Sequence, residues 1–281
     1  MKYKKALRGS LMLVVALIAV VLVAQPLIWK SIYARYKSTE HFLVFEKDPR
    51  IRYEEGAELN AEKVFSLLPE TEEAVAQILD SSFDEPIRIF VCATQDSFND
   101  YVFLSRNVRG AMYWGNVFLS PGAFERGSLN GLLEHELTHY LFYTHLGERD
   151  HIRNIPLWFR EGLAVFVDGI SGDIDMGIAD ALMPMNNRDK STFLSGKADY
   201  WFYSTNPTDA LTEEGAVNGM LYRIGGAVIH YLYITDPVGF KNFVQSLLSG
   251  ENFNDALEAT TEYSLESLLQ SFREALESSG N

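Results

Sequence analysis

The sequence predicts an α+β fold with a mostly helical C-terminal half, preceded by one N-terminal transmembrane helix. Three observations carry this. Residues 9–29 form an uncharged, largely apolar run of 21 residues, and about 20 suffice to cross a bilayer. Between Glu40 and Ser120, short alternating apolar runs are interleaved with helical patterns. From Leu129 onward the apolar residues recur mainly at helical spacing.

The N-terminal segment is read first. Lys2, Lys4, Lys5 and Arg8 precede the apolar run, and Lys30, Arg35 and Lys37 follow it. Leu22 and Ala24 make a poor small-x-small cleavage site, so an uncleaved signal anchor is expected rather than a removed signal peptide. Four basic side chains and the terminal amine ahead of the span favour a cytoplasmic N-terminus. Residues 1–37 are therefore a cytoplasmic basic tail, a transmembrane signal anchor and a juxtamembrane linker, and residues 38–281 are one domain outside the cytoplasm. The expected protein is single-pass, in the cell or inner membrane, with the lipid bilayer as one partner. After residue 37 the chain holds 17 basic against 38 acidic side chains, a net of −21. Such a surface argues against nucleic acid or anionic lipid as its partner. The lone cysteine, Cys92, excludes an intramolecular disulfide and reads as a small strand residue.

Within the domain, His41–Phe45 reads as extended, 60–79 as a helix interrupted at Pro69, 86–92 as a strand and 95–104 as a short helix. Met112–Ser120 reads as one strand, stopped by Pro121-Gly122 and leading to a helix over Leu129–Leu146. A strand in that place either offers its edge to an extended peptide backbone or is buried without a substrate role. Residues 155–164 begin like a helix, with Asn154 as cap and Pro156 in the first turn. The stretch 169–215 has no clear periodicity and reads either as a wall or lid of the cleft or as a mobile segment, with Trp201-Phe202-Tyr203 near its end. Helices are expected over 217–234, from Pro237 to Gly250, and over 264–276.

The chemistry is concentrated in His135-Glu136-Leu137-Thr138-His139. Four residues apart on a helix, the two imidazoles stand about 40° apart around the axis and one turn apart along it, so both can grip one ion. Glu136 then lies beside the open coordination position as a general base. Leu132, Leu133, Leu137, Tyr140 and Leu141 surround the motif with apolar positions, and ionisable groups in so buried a helix need a partner such as a metal. A tetrahedral catalytic zinc needs one further protein ligand. Glu161, in Trp158-Phe159-Arg160-Glu161-Gly162-Leu163-Ala164, is one candidate, and His145 is the other. His145 falls on the spacing H-E-x-x-H-x-x-G-x-x-H, but position 142 is Phe142, which gives the helix no inexpensive way to turn. A methionine turn at Met183 or Met185 has nothing around it in support. Glu161 is therefore preferred.

The pairing of His135-Glu136-Leu137-Thr138-His139 with Trp158-Phe159-Arg160-Glu161-Gly162-Leu163-Ala164 resembles the gluzincins, most closely the peptidase MA-like group. More weakly, the resemblance extends from Phe83 to Phe272. It implies a zincin-type metallopeptidase fold, Zn²⁺ held by His135, His139 and Glu161, and Glu136 as base toward a peptide or protein substrate. It also suggests Tyr222, or His230, as donor to a tetrahedral oxyanion. Relatives often place an Asp four residues after the ligand Glu; here that position is Val165, which leaves Asp168 as a substitute partner for His135. Gly110-Ala111-Met112-Tyr113-Trp114 lacks the Glu with which aminopeptidases of this clan bind a free amine, so an endopeptidase is expected. Two other functions fit the same residues: an inactive scaffold that binds a partner segment, and a zinc hydrolase of a non-peptide bond.

Overall fold

A computed structural model of the protein describes residues 32–102, 108–170, 185–204 and 215–278. The apolar run 9–29 lies outside the described residues, among which no helix is long and apolar enough to cross a membrane. The fold is α+β, a small mixed sheet against a largely helical body.

The sheet has the order β1 (Leu43–Val44), β2 (Ile51–Tyr53), β3 (Ile89–Val91), β5 (Asn116–Leu119), β4 (Gly110–Tyr113). The two central pairings, β2 with β3 and β3 with β5, are parallel, and the outer two are antiparallel. Alternation along the strands sorts side chains by face. Ile89, Val91, Val117 and Leu119 join the main core, whereas Phe90, Cys92, Ala111 and Phe118 join a smaller cluster with Phe98 and Tyr101 of α2 (Gln95–Tyr101). Cys92 is buried there as a small apolar residue.

The run Met112–Ser120 differs from the single strand expected of it. Trp114 (φ +50°) and Gly115 (φ +70°) make a tight turn with positive φ at both central residues, folding the run into the β4–β5 hairpin. A Cβ on Gly115 would lie 2.4 Å from Tyr143 Cε1, so the turn packs directly on the helix that follows. Of the hairpin's two strands β5 is thus interior, and β4 lies at one edge of the sheet.

α1 (Glu58–Leu79) buries Ala61, Val64, Leu68, Val75 and Ile78 at helical spacing and passes through Pro69 without ending. α3 (Leu129–Asn154) starts at Ser128, whose side chain accepts from the Gly131 N–H, and breaks at Gly147 (φ +70°). α4 (Leu157–Ile170) follows. The irregular stretch holds α5 (Asn187–Leu194) and α6 (Asp199–Tyr203), in which Trp201 and Phe202 are core residues and Tyr203 is exposed. α7 (Gly215–Thr235), α8 (Pro237–Leu248), α9 (Phe253–Thr260) and α10 (Leu265–Ser278) complete the chain.

α4 meets α7 through glycines. A Cβ on Gly162 would stand 2.7 Å from the Gly225 carbonyl carbon, and one on Gly225 would stand 2.8 Å from the Trp158 oxygen. Both obstacles are backbone, which cannot swing aside. Alanine in a helix interior normally gains about 0.5–1 kcal/mol over glycine. At Gly162 the overpacking cost of about 1–3 kcal/mol wins. Gly162→Ala is therefore expected to lower the urea midpoint; an unchanged or raised midpoint would show that the crossing has room.

Candidate metal centre

α3 carries the motif on a helix that is buried on most sides. Leu133, Leu137, Tyr140 and Leu141 are fully covered, and the Tyr140 hydroxyl donates to the Pro86 carbonyl at 2.7 Å. His135 and His139 occupy the remaining face, their rings edge-to-face with centroids 5.0 Å apart. Glu161 projects from α4, where the glycine contact with α7 fixes the neighbouring residue. Its Oε2 lies 3.8 Å from His135 Nε2 and 3.8 Å from His139 Nε2. One ligand atom from each of the three residues falls within 4.8 Å of the others, a group that could hold a metal ion.

Glu136 is held from the other side. Its Oε2 accepts from the Met112 N–H at 2.6 Å. Tyr113 and Asn116 flank the hairpin turn, so Met112 pairs with Val117 at a position where its backbone groups point away from β5. The free edge of β4 thus supplies the amide that orients Glu136.

Burial sets the protonation of these groups in the metal-free chain. It lowers His135 to about 4, with nearby His139 adding and Glu161 opposing, and lowers His139 to about 3, with Arg160 adding. Both imidazoles are therefore neutral and ready to ligate at pH 7. Burial raises Glu136 to about 8 against the Met112 hydrogen bond, and raises Glu161 against His135 and Arg160.

These shifts predict how metal uptake depends on pH. Above about pH 5 protons do not compete for the imidazoles, whereas Glu136 is mostly protonated below about 8 and must ionise when a cation settles beside it. Affinity is therefore expected to rise with pH up to about 8 and then flatten. Calorimetry in buffers of different ionisation enthalpy at pH 7 should give about one proton fewer released per metal in Glu136→Gln than in wild type. Equal release from both would place the titrating proton elsewhere.

The remaining candidates separate cleanly. The helix runs straight through Phe142, so His145 Nδ1–H donates to the Leu141 carbonyl at 2.9 Å and its Nε2 lies 3.5 Å from Asp84 Oδ2, away from the Glu161 carboxylate. The chain turns at Gly147 instead, past the point where His145 could be brought back. Asp168 sits over Gly131, where a Cβ would stand 1.8 Å from its Oδ1, one turn before His135. Burial raises its carboxyl, with Arg109 opposing. Tyr222 is half-buried on α7, its ring stacked on Trp201 at 6.3 Å. Burial raises its phenol, the Glu161 charge raises it further and Arg160 opposes, which puts it in the electrical neighbourhood of the ligand. His230 packs on Phe166, rings 5.4 Å apart, on the far side of the α4–α7 crossing from Tyr222. Met185 is a core residue, and Met183 lies outside the described residues.

Two residues the sequence did not single out belong to this centre. His151, after the Gly147 break, is buried with its ring 6.3 Å from that of His139 and stacked on Phe142 at 6.1 Å. Burial, Arg160 and His139 hold it well below the usual imidazole range. Arg160 lies between His139, His151 and Glu161 in charge reach of all three.

A scan of the chain against protein-family models finds no match, and a search of curated proteins finds none either.

Proposed function

We propose that the chain is a zinc-dependent peptidase of gluzincin type, an endopeptidase with a zincin fold, anchored in a membrane by the run 9–29 with its catalytic domain outside the cytoplasm. One observation carries the reading: two neutral imidazoles converge on a single carboxylate oxygen at 3.8 Å each, while a second carboxylate, Glu136, is oriented alongside by a sheet-edge amide. The donor set fits zinc, which takes nitrogen and carboxylate ligands at about 2.0–2.2 Å in a tetrahedron. The edges of such a tetrahedron measure about 3.3 Å. The observed 3.8 Å therefore needs only a slight closure of the side chains.

Bound there, zinc lowers the pKa of water toward 7 and polarises the scissile carbonyl. The rest is the work of side chains and backbone. Glu136 takes a proton from the attacking water and returns it to the leaving amine. The Met112 N–H holds the Glu136 carboxylate in place meanwhile. The outward groups of Gly110 and the outward carbonyl of Met112 on β4 pair with an extended substrate backbone. Tyr222, kept protonated by its raised pKa, donates to the developing oxyanion.

The reading is tested with purified full-length chain and a mixed peptide substrate followed by mass spectrometry. Cleavage at internal bonds, abolished by a zinc chelator and restored by zinc, is the expected result. Failure to cleave peptides by zinc-loaded chain that hydrolyses simple esters or metabolite amides would overturn it.

A further inference from the structure

Arg160 is a half-buried cation that the hydrolytic steps do not use. Its Nε is sealed from solvent without a hydrogen-bond partner, and among the described residues no carboxylate forms an ion pair with it. Glu161 and Glu148 compensate its charge only from a distance. Metal loading increases the imbalance, because Glu161 then turns its charge to the ion. The corner around Arg160 becomes a place that favours an anion.

The space beside it agrees. On one side Arg160 packs with His139 and His151. On the other it lines a cavity of about 180 Å³ with Arg153, Asn154, Asn252 and Asn254, at the N-terminal end of α4. No acidic residue lines that cavity, in a domain whose net charge is strongly negative. The helix dipole adds a further bias toward negative charge. A guanidinium fork matches a carboxylate in two parallel hydrogen bonds.

We propose that Arg160 and this cavity form a specificity pocket that binds a carboxylate of the substrate, so that the enzyme selects peptides by an acidic side chain or, acting then as a carboxypeptidase in place of the endopeptidase proposed above, by a free C-terminus near the scissile bond. The inference rests on the peptidase reading for its biological meaning, but the pocket itself is open to a binding test. Three probes separate the sources: N-acetyl-glutamate amide carries only the side-chain carboxylate, N-acetyl-glutamine only the α-carboxylate, and N-acetyl-glutamine amide neither. Binding to zinc-loaded full-length Glu136→Gln is followed by ligand-observed NMR. One of the first two should bind at least 10-fold more tightly than the neutral amide, and the difference should vanish on adding Arg160→Gln and persist in part with Arg160→Lys. Equal binding of all three, binding of none, or a preference that survives Arg160→Gln would overturn the pocket. Binding with the expected preference by a chain whose Glu136 form cleaves no peptide would leave the pocket standing and sink the peptidase reading instead.

Discussion

Glu161→Ala is expected to strip the centre of its metal, while His145→Ala leaves it loaded. The asymmetry follows from where the two side chains point. Glu161 Oε2 is equidistant from the two histidine Nε2 atoms, so the carboxylate closes the third corner of the site and supplies its only ligand charge. Without it, two neutral imidazoles on one helix face remain. Losing even a contact that supports a ligand costs roughly 10- to 100-fold in metal affinity, and losing the ligand itself should exceed that. His145 is tied to the Leu141 carbonyl and faces Asp84. The measurement is metal per chain after identical dialysis of both variants and wild type. Retention in Glu161→Ala with loss in His145→Ala would require the helix to unwind before Gly147, contrary to the structure.

How far the sequence revealed this site depends on how local each relation is. The facing of His135 and His139 is a property of one helix turn, and five residues suffice to state it. The approach of Glu161 depends on the crossing of α4 with α3, which Gly162 does not mark: a bare position in Trp158–Ala164 suggests close packing on the histidine helix, but its open face meets Gly225 and Gly226 of α7 instead. The hairpin in Met112–Ser120 left a weaker trace, because Trp114 is a residue that seldom takes positive φ and gives no warning of a turn. β2 leaves no signal for a different reason: Ile51–Tyr53 is three residues long with an arginine at its centre, too short to register a period. His151 and Arg160 join the centre only because the chain reverses at Gly147 and returns along α4, a long-range relation that no spacing rule encodes. The short helices α5 and α6 were hidden in a polar stretch whose burial comes from contacts elsewhere, as where Phe193 packs on Phe272.

Glu136→Gln is expected to keep its metal and lose turnover. The substitution removes the base with almost no change of shape. The amide oxygen can still accept from the Met112 N–H, so the hydrogen bond that orients residue 136 persists, and the metal ligands are untouched. What disappears is the capacity to hold a proton. General acid–base catalysis by a positioned group contributes about 10²–10⁴-fold. In the proposed reaction Glu136 serves both the attack and the departure of the amine, so kcat should fall toward the upper end of that range, with little change in KM if substrate is held by the β4 edge and the Arg160 pocket. Metal content and cleavage of one peptide by wild type and variant decide the matter. Full metal with near-normal kcat would remove Glu136 from the chemistry, and the proton would have to pass through another group in charge reach of Glu161, of which Tyr222 is the first to substitute.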